Sequence, residues 1–126
     1  MNIIISNSSD EPIYKQVKNQ IKTAIISNEL KYGDKLPSIR MLAHDLKISV
    51  ITTKAAYEEL ERDGYVEVIP SKGIYVSNKN IELIREEQLQ NIEKLVKTMV
   101  DIAKISDISK NEVNNIIDIY WEDYDE

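Results

Sequence analysis

The first part of the chain carries three segments in which apolar residues recur with the period of an α-helix. The first segment runs from Pro12 to Asn28, with proline in the first turn, where its missing N–H is tolerated. The second begins after Ser38 and the third after Ser49, and serine is a residue type that caps helix N-termini well. Two helices separated only by residues 47–49 are typical of a helix-turn-helix.

The third segment has a distinct apolar side and a distinct open side. The side that we predict to be buried follows the spacing of one helical face and consists of Thr53, Ala56, Tyr57 and Leu60. Gly64 is placed to end this helix. With ~100° of rotation per residue, the opposite side presents Ile51, Lys54, Ala55 and Glu58. This second side is free to meet a partner.

From Tyr65 onward the apolar period changes from that of a helix to that of a β-strand, which predicts two short strands. The residues predicted to face inward are Val66, Val68, Ile74 and Val76. Residues 70–73 (Pro-Ser-Lys-Gly) have the composition of a hairpin turn. The strand-like segment 3–5 receives no predicted place in the fold. Three helices followed by a two-stranded ribbon predict a winged helix over residues 1–78.

Residues 79–126 predict two more amphipathic helices. The second of them begins at a capping box, Ser109 to Glu112, with Ile108 and Val113 in the positions of a hydrophobic staple. Two helices cannot bury such broad apolar faces on each other alone, so we expect a second copy of the chain to cover them. The residues expected at this dimer interface are Leu95, Met99, Ile102, Ile116, Tyr120 and Trp121.

The fold class predicted for the 126 residues is therefore mainly α with a small β-ribbon, as a winged helix-turn-helix plus a C-terminal two-helix dimerisation region. The net charge of −6 is distributed unevenly over these two parts. Residues 1–78 hold 10 basic and 10 acidic side chains, whereas residues 79–126 hold 6 and 12. Residues 31–54 contain five basic and two acidic side chains, so a protein with a net negative charge can still carry a basic patch.

Several classes of function are disfavoured by the residues that are absent from the sequence. Without cysteine there is no disulfide and no thiolate ligand or nucleophile, and one histidine, His44, cannot build a multi-histidine metal site. No apolar run, residues 3–5 included, is longer than three residues, so we expect no membrane span, and we see no signal peptide. No phosphate-binding glycine loop or catalytic triad is visible. We expect a cytoplasmic protein that is not an enzyme and has no cofactor or metal.

The order of motifs over about residues 12–77 resembles the winged-helix domain of the GntR family of bacterial transcription regulators. The segments that carry the resemblance are 12–17, 36–40, 49–60, 64–66 and 72–76. The short C-terminal part is similar to that of the YtrA-like branch, which has a two-helix dimerisation region. The resemblance implies a homodimeric DNA-binding regulator, most simply a repressor, of an operon for a membrane transporter.

The resemblance implies DNA contacts at the starts of the second and third helices and at the wing. The residues expected there are Ser38, Arg40, Ser49, Val50, Ile51, Thr52, Lys54, Lys72 and Gly73. Arg40 lies in the first turn of a helix, where a positive charge is unfavourable to the helix dipole. This favours contact with an anion outside the protein over an internal ion pair with Asp34 or Asp45. Lys54 can reach a phosphate or a guanine edge, and Val50 or Ile51 a thymine methyl group.

The same residues allow other interpretations. Core packing explains Val50 as well as DNA contact does, and the family often has an arginine at this position. The winged helix can instead be a protein-interaction module, with the acidic helices as its scaffold. The protein can also be a sensor that holds a small-molecule effector near Tyr120, Trp121 and Tyr124. A salt-dependent affinity for DNA distinguishes the regulator from the interaction module.

Overall fold

The computed structural model describes residues 1–78 and 81–125, except for the side chains of Ile81, Tyr124 and Asp125. The chain divides into two compact units, Met1–Ile81 and Glu82–Glu126, which we call unit 1 and unit 2. Unit 1 contains helices α1 (Ile13–Ile26), α2 (Ile39–Leu46) and α3 (Val50–Arg62), and strands β1 (Lys35–Leu36), β2 (Val66–Ile69) and β3 (Gly73–Val76). The helices α4 (Ile81–Ile105) and α5 (Lys110–Asp125) follow. The predicted fold class is confirmed, with corrections to α1 and the sheet.

The helix ends follow the predicted capping chemistry. The Ser38 Oγ accepts the N–H of Met41 at 3.1 Å, and the Ser49 Oγ accepts the N–H of Thr52 at 3.0 Å. Gly64, with φ of 84°, follows the end of α3 in the left-handed conformation that glycine adopts readily. In α1, the prediction is off at both ends: Pro12 is the N-cap and the helix stops at Ile26.

The core of unit 1 forms where α1 and α2 pack against α3 and where α3 packs against β2. The predicted buried face of α3 is confirmed, because Thr53, Ala56, Tyr57 and Leu60 are all buried. The remaining apolar core residues are Val17, Ile21, Ala24, Leu36, Leu42, Ala43, Tyr65, Val66, Ile74 and Val76. Lys18 of α1 pairs with Glu59 at 3.0 Å and with Asp63 at 3.1 Å, and its hydrogen bond to Glu59 is the main cause of its raised pKa.

The sheet has three antiparallel strands in the order β1-β3-β2, where the sequence pattern predicted two. Strand β1 pairs Lys35 with Tyr75 and Leu36 with Ile74. Two residues are too few to show a strand period, which is why this strand escaped prediction. The inward position predicted for Val68 is wrong: it is 45% exposed, whereas Val66 at the start of the same edge strand is buried. An edge strand has a neighbouring strand on one side only, and Val68 lies toward the turn, further along the chain from α3 than Val66.

The N-terminal segment is held by two glutamine side chains of α1 instead of by a strand. The amide of Gln20 accepts from the N–H of Ile4 at 2.9 Å and donates to its carbonyl at 2.7 Å. Gln16, which is buried, forms the same pair of bonds with Ser6, at 2.8 and 2.9 Å. Each side-chain amide thus satisfies a peptide group as a neighbouring strand would. This places the residues 3–5 that the sequence left unplaced.

Unit 2 consists of α4, from Glu82 onward, and α5. The predicted capping box is confirmed, because the Ser109 Oγ accepts the N–H of Glu112 at 3.1 Å and the Glu112 carboxylate accepts the N–H of Ser109 at 2.8 Å. Ile108 and Val113 line the same groove, as a hydrophobic staple requires. Over residues 1–78 and 81–125, no helix is long and apolar enough to cross a membrane.

We expect Tyr57→Phe to lower the free energy of unfolding by about 1 to 3 kcal/mol, the range for leaving a buried polar group unpaired. The Tyr57 Oη donates to the carbonyl of Pro37 at 2.7 Å, and burial raises the pKa of this phenol. Tyr75→Phe is the matched control, because the Tyr75 Oη donates to the backbone carbonyl of Lys72 at an exposed site. Urea unfolding followed by circular dichroism measures both, and equal losses would contradict the role given to Tyr57.

Candidate nucleic-acid interface

The first turn of α2 presents an exposed cation. Arg40 lies two residues after the N-cap Ser38, and this turn contains no acidic residue. The two predicted alternative partners are engaged elsewhere: the Asp34 carboxylate accepts the N–H of Lys31 at 2.8 Å, and Asp45 lies 3.6 Å from His44. Among the ion pairs of the described residues, none includes Arg40. Its guanidinium is therefore available to an outside anion.

A groove of about 390 Å³ lies between the start of α2 and the wing formed by β2, β3 and their turn. Its lining residues are Lys35, Leu36, Ser38, Ile39, Arg40, Lys72, Gly73 and Ile74. Four of the predicted DNA-contacting residues, from two separate segments, are thus brought together. The lining holds three basic side chains and no acidic one. Such a concentration of positive charge favours a phosphate backbone.

Lys35 is a residue of this groove that the sequence did not single out. It belongs to β1, and only the pairing of β1 with β3 brings it to the wing. A Cβ on Gly73 would lie 3.1 Å from the Lys35 Cε, so the glycine leaves room for the lysine stem. Gly73 also has φ of 131°, which side chains rarely tolerate. The excess of basic residues in 31–54 indicated a basic patch, but it did not indicate which of these residues lies beside the wing.

The start of α3 combines capped polar groups with exposed apolar ones. The Ser49 hydroxyl donates to the Thr52 Oγ1 at 2.7 Å, which holds both side chains at the helix end. Val50 is 47% exposed and Ile51 is 81% exposed, so neither belongs to the core of unit 1. Core packing therefore does not account for Val50. One turn further, the Lys54 Nζ lies 3.8 Å from the Glu58 Oε1 in an exposed pair that is weak in water.

In unit 2, the residues predicted for a dimer interface fall into two groups. Leu95, Met99, Ile102 and Ile116 line one apolar groove between α4 and α5. A second groove of about 600 Å³ shares Met99, Ala103, Ile108, Val113 and Ile117 with the first one. Tyr120 and Trp121 line neither of these two grooves and are exposed. The effector site expected near them stays a prediction, since the Tyr124 side chain lies outside the described residues.

Ionisable side chains do not gather into a metal site in the part of the chain that the structure describes. The fold and the exposed basic groove instead define a winged-helix DNA-binding protein. The chain belongs to the GntR family, because the family model for bacterial regulatory proteins, gntR family, matches residues 13–76. The winged helix-turn-helix is the DNA-binding part of a GntR-family transcriptional regulator.

The similarity extends beyond the winged helix. Over 115 residues, the chain is 31% identical to the HTH-type transcriptional repressor YtrA of Bacillus subtilis (strain 168), covering 91% of this chain and 88% of YtrA. A transcriptional regulator from Oenococcus oeni is 25% identical, with a TM-score of 0.74 over 93% of this chain and 97% of that one. The DNA-binding domain of AraR in complex with operator ORX1 shares the fold, at 21% identity and a TM-score of 0.54, over 61% and 96% of the two chains.

We expect Arg40→Ala to abolish specific DNA binding without unfolding the protein. The side chain is exposed, and each base or phosphate contact that it supplies is worth about 1 to 3 kcal/mol. Gel-shift titration with circular dichroism on the same sample measures both properties. Arg62→Ala is the control, because it also removes one positive charge but lies in the last turn of α3, at the other end of that helix from the proposed interface. A folded Arg40 variant with unchanged affinity would remove Arg40 from the interface.

We expect Lys54→Ala to weaken DNA binding in one of two distinguishable ways. If Lys54 contacts a phosphate, the slope of log affinity against log salt falls by about one unit. If it contacts a guanine, discrimination at one base pair is relaxed instead. Salt titrations against operator variants separate the two, with Lys15→Ala on α1 as the control. Wild-type slope and wild-type specificity together would contradict the orientation assigned to α3.

Proposed function

We propose that the protein is a cytoplasmic, homodimeric, sequence-specific repressor that places two winged helices in successive major grooves of an operator. The observation that carries this proposal is the groove beside the start of α2, whose lining includes Lys35, Arg40 and Lys72 and no acidic residue. In a helix-turn-helix, the second helix enters the major groove while neighbouring elements hold the backbone. Repression follows if the bound dimer occludes a promoter.

The surface of unit 1 offers different groups to the DNA backbone and to the base edges. Phosphate contacts set the position of a protein on DNA, and contacts to base edges give specificity. The three cations of the groove supply the first kind of contact, and the exposed side of α3 supplies the second. The free N–H groups at the start of α3 add a further site for a phosphate. Both kinds of contact are thus present on α2, α3 and the wing.

The apolar grooves of unit 2 support the homodimer. Leu95, Ile102 and Ile116 expose 71%, 58% and 53% of their surface in a single copy of the chain. Contiguous apolar surface of this kind marks an association site, and a two-fold axis lets one patch cover its own copy. A dimer also matches an operator with two half-sites one helical turn apart, roughly 34 Å. Similarity to a protein named YtrA repressor supports repression, and the YtrA-like resemblance supports a transporter operon as target.

Selection of duplexes from a random pool, followed by affinity measurements at several salt concentrations, tests this function. We expect a two-fold symmetric site and a log-log slope near −0.9 for each phosphate neutralised. An interaction module that uses its winged helix to bind a protein would select no sequence. It would also show no steep salt dependence with DNA, and either result would contradict the proposal.

We expect Ile102→Glu to make the full-length protein monomeric and to reduce its affinity for a complete operator to that for a half-site. The substitution places a charge in an apolar groove, where burial of a carboxylate is strongly unfavourable. Ile105→Glu is the matched control, because Ile105 is 87% exposed but lines neither described groove. Sedimentation at micromolar concentration measures the assembly. A dimeric Ile102 variant, or a monomeric wild type, would contradict the assigned interface.

A further inference from the structure

Apolar surface is concentrated at the end of α3 that the proposed function directs toward DNA. Ile51, at 81%, has the largest exposed fraction of the large apolar residues described in unit 1, and its neighbour Val50 is also open. Both lie in the first turn of a helix whose other face is fully packed. Because apolar surface is unfavourable in water, this pair gains free energy when a partner covers it.

The surroundings of this pair select the chemistry of the partner. Lys54 lies on the same side of α3 as Ile51, and the hydroxyls of Ser49 and Thr52 lie at the same helix end. A purely apolar partner surface would strip water from these polar groups without replacing their hydrogen bonds. A DNA major groove offers both phosphate oxygens and base edges to them. The apolar pair thus meets the base edges from the N-terminal part of the recognition helix.

Among the groups on the major-groove edges, the thymine 5-methyl is the one that apolar side chains match. Guanine, cytosine and adenine present hydrogen-bond donors and acceptors there, which valine and isoleucine cannot satisfy. We propose, on the basis of the proposed function, that Val50 and Ile51 read thymine methyl groups. Each operator half-site then carries thymine at the positions that face the first turn of α3.

Replacing thymine with uracil in the selected operator tests this inference directly. Uracil keeps every hydrogen-bonding group of thymine and lacks only the methyl group, so the change isolates the apolar contact. Fluorescence anisotropy of the full-length protein gives the affinity for each duplex. We expect a loss of about threefold to fivefold for each contacted methyl group, the scale of one buried carbon. The Ile51→Ala and Val50→Ala variants should bind the two duplexes more equally than the wild type.

Ile4→Ala is the matched control for these variants. Ile4 is 70% exposed and lies in the N-terminal segment. Its substitution therefore shortens an exposed isoleucine that does not belong to α3. This variant should keep the full preference for thymine over uracil. Equal wild-type affinity for the two duplexes, or a preference that survives both α3 substitutions, would overturn the inference while leaving the proposed function intact. Failure to select any duplex would overturn both.

Discussion

The packing of one face of α3 is the constraint on which the rest of unit 1 depends. Thr53, Ala56 and Leu60 have no exposed surface, and Tyr57 anchors the same face by its hydrogen bond to the carbonyl of Pro37. A helix that is fixed along one face presents the opposite face in a fixed direction. Since Pro37 directly precedes the cap of α2, the same contact also sets where α2 begins. The spacing of the two helix starts is therefore a consequence of core packing.

The basic groove shows how a protein with net negative charge can offer a site for DNA. Its cations come from β1, α2 and the turn of the wing, and residues 1–78 as a whole are electrically balanced. The excess of acidic residues lies in residues 79–126. Fields near a surface follow local charge, because screening by salt limits their range to about 10 Å. The local arrangement, and not the total charge, determines which partner unit 1 attracts.

The parts of this structure that the sequence predicts are those fixed by local rules. Capping at Ser38, Ser49 and Ser109 depends on a side chain and a backbone N–H a few residues away, so the pattern alone revealed it. Strand β1 and the inclusion of Lys35 in the groove depend on pairing with a distant strand. The exposure of Val68 depends on its position along the edge strand β2. The spacing of apolar residues along the sequence does not reveal such contacts between distant segments.

We propose that DNA binds the surface formed by the starts of α2 and α3 and by the wing. A nuclear magnetic resonance titration of the ¹⁵N-labelled full-length protein with its selected duplex tests this claim residue by residue. We expect the largest shifts to fall within residues 38–41, 49–54 and 71–73, with little change around Lys18 on α1. Shifts concentrated in α4 and α5, or around the Lys18 ion pairs, would contradict it.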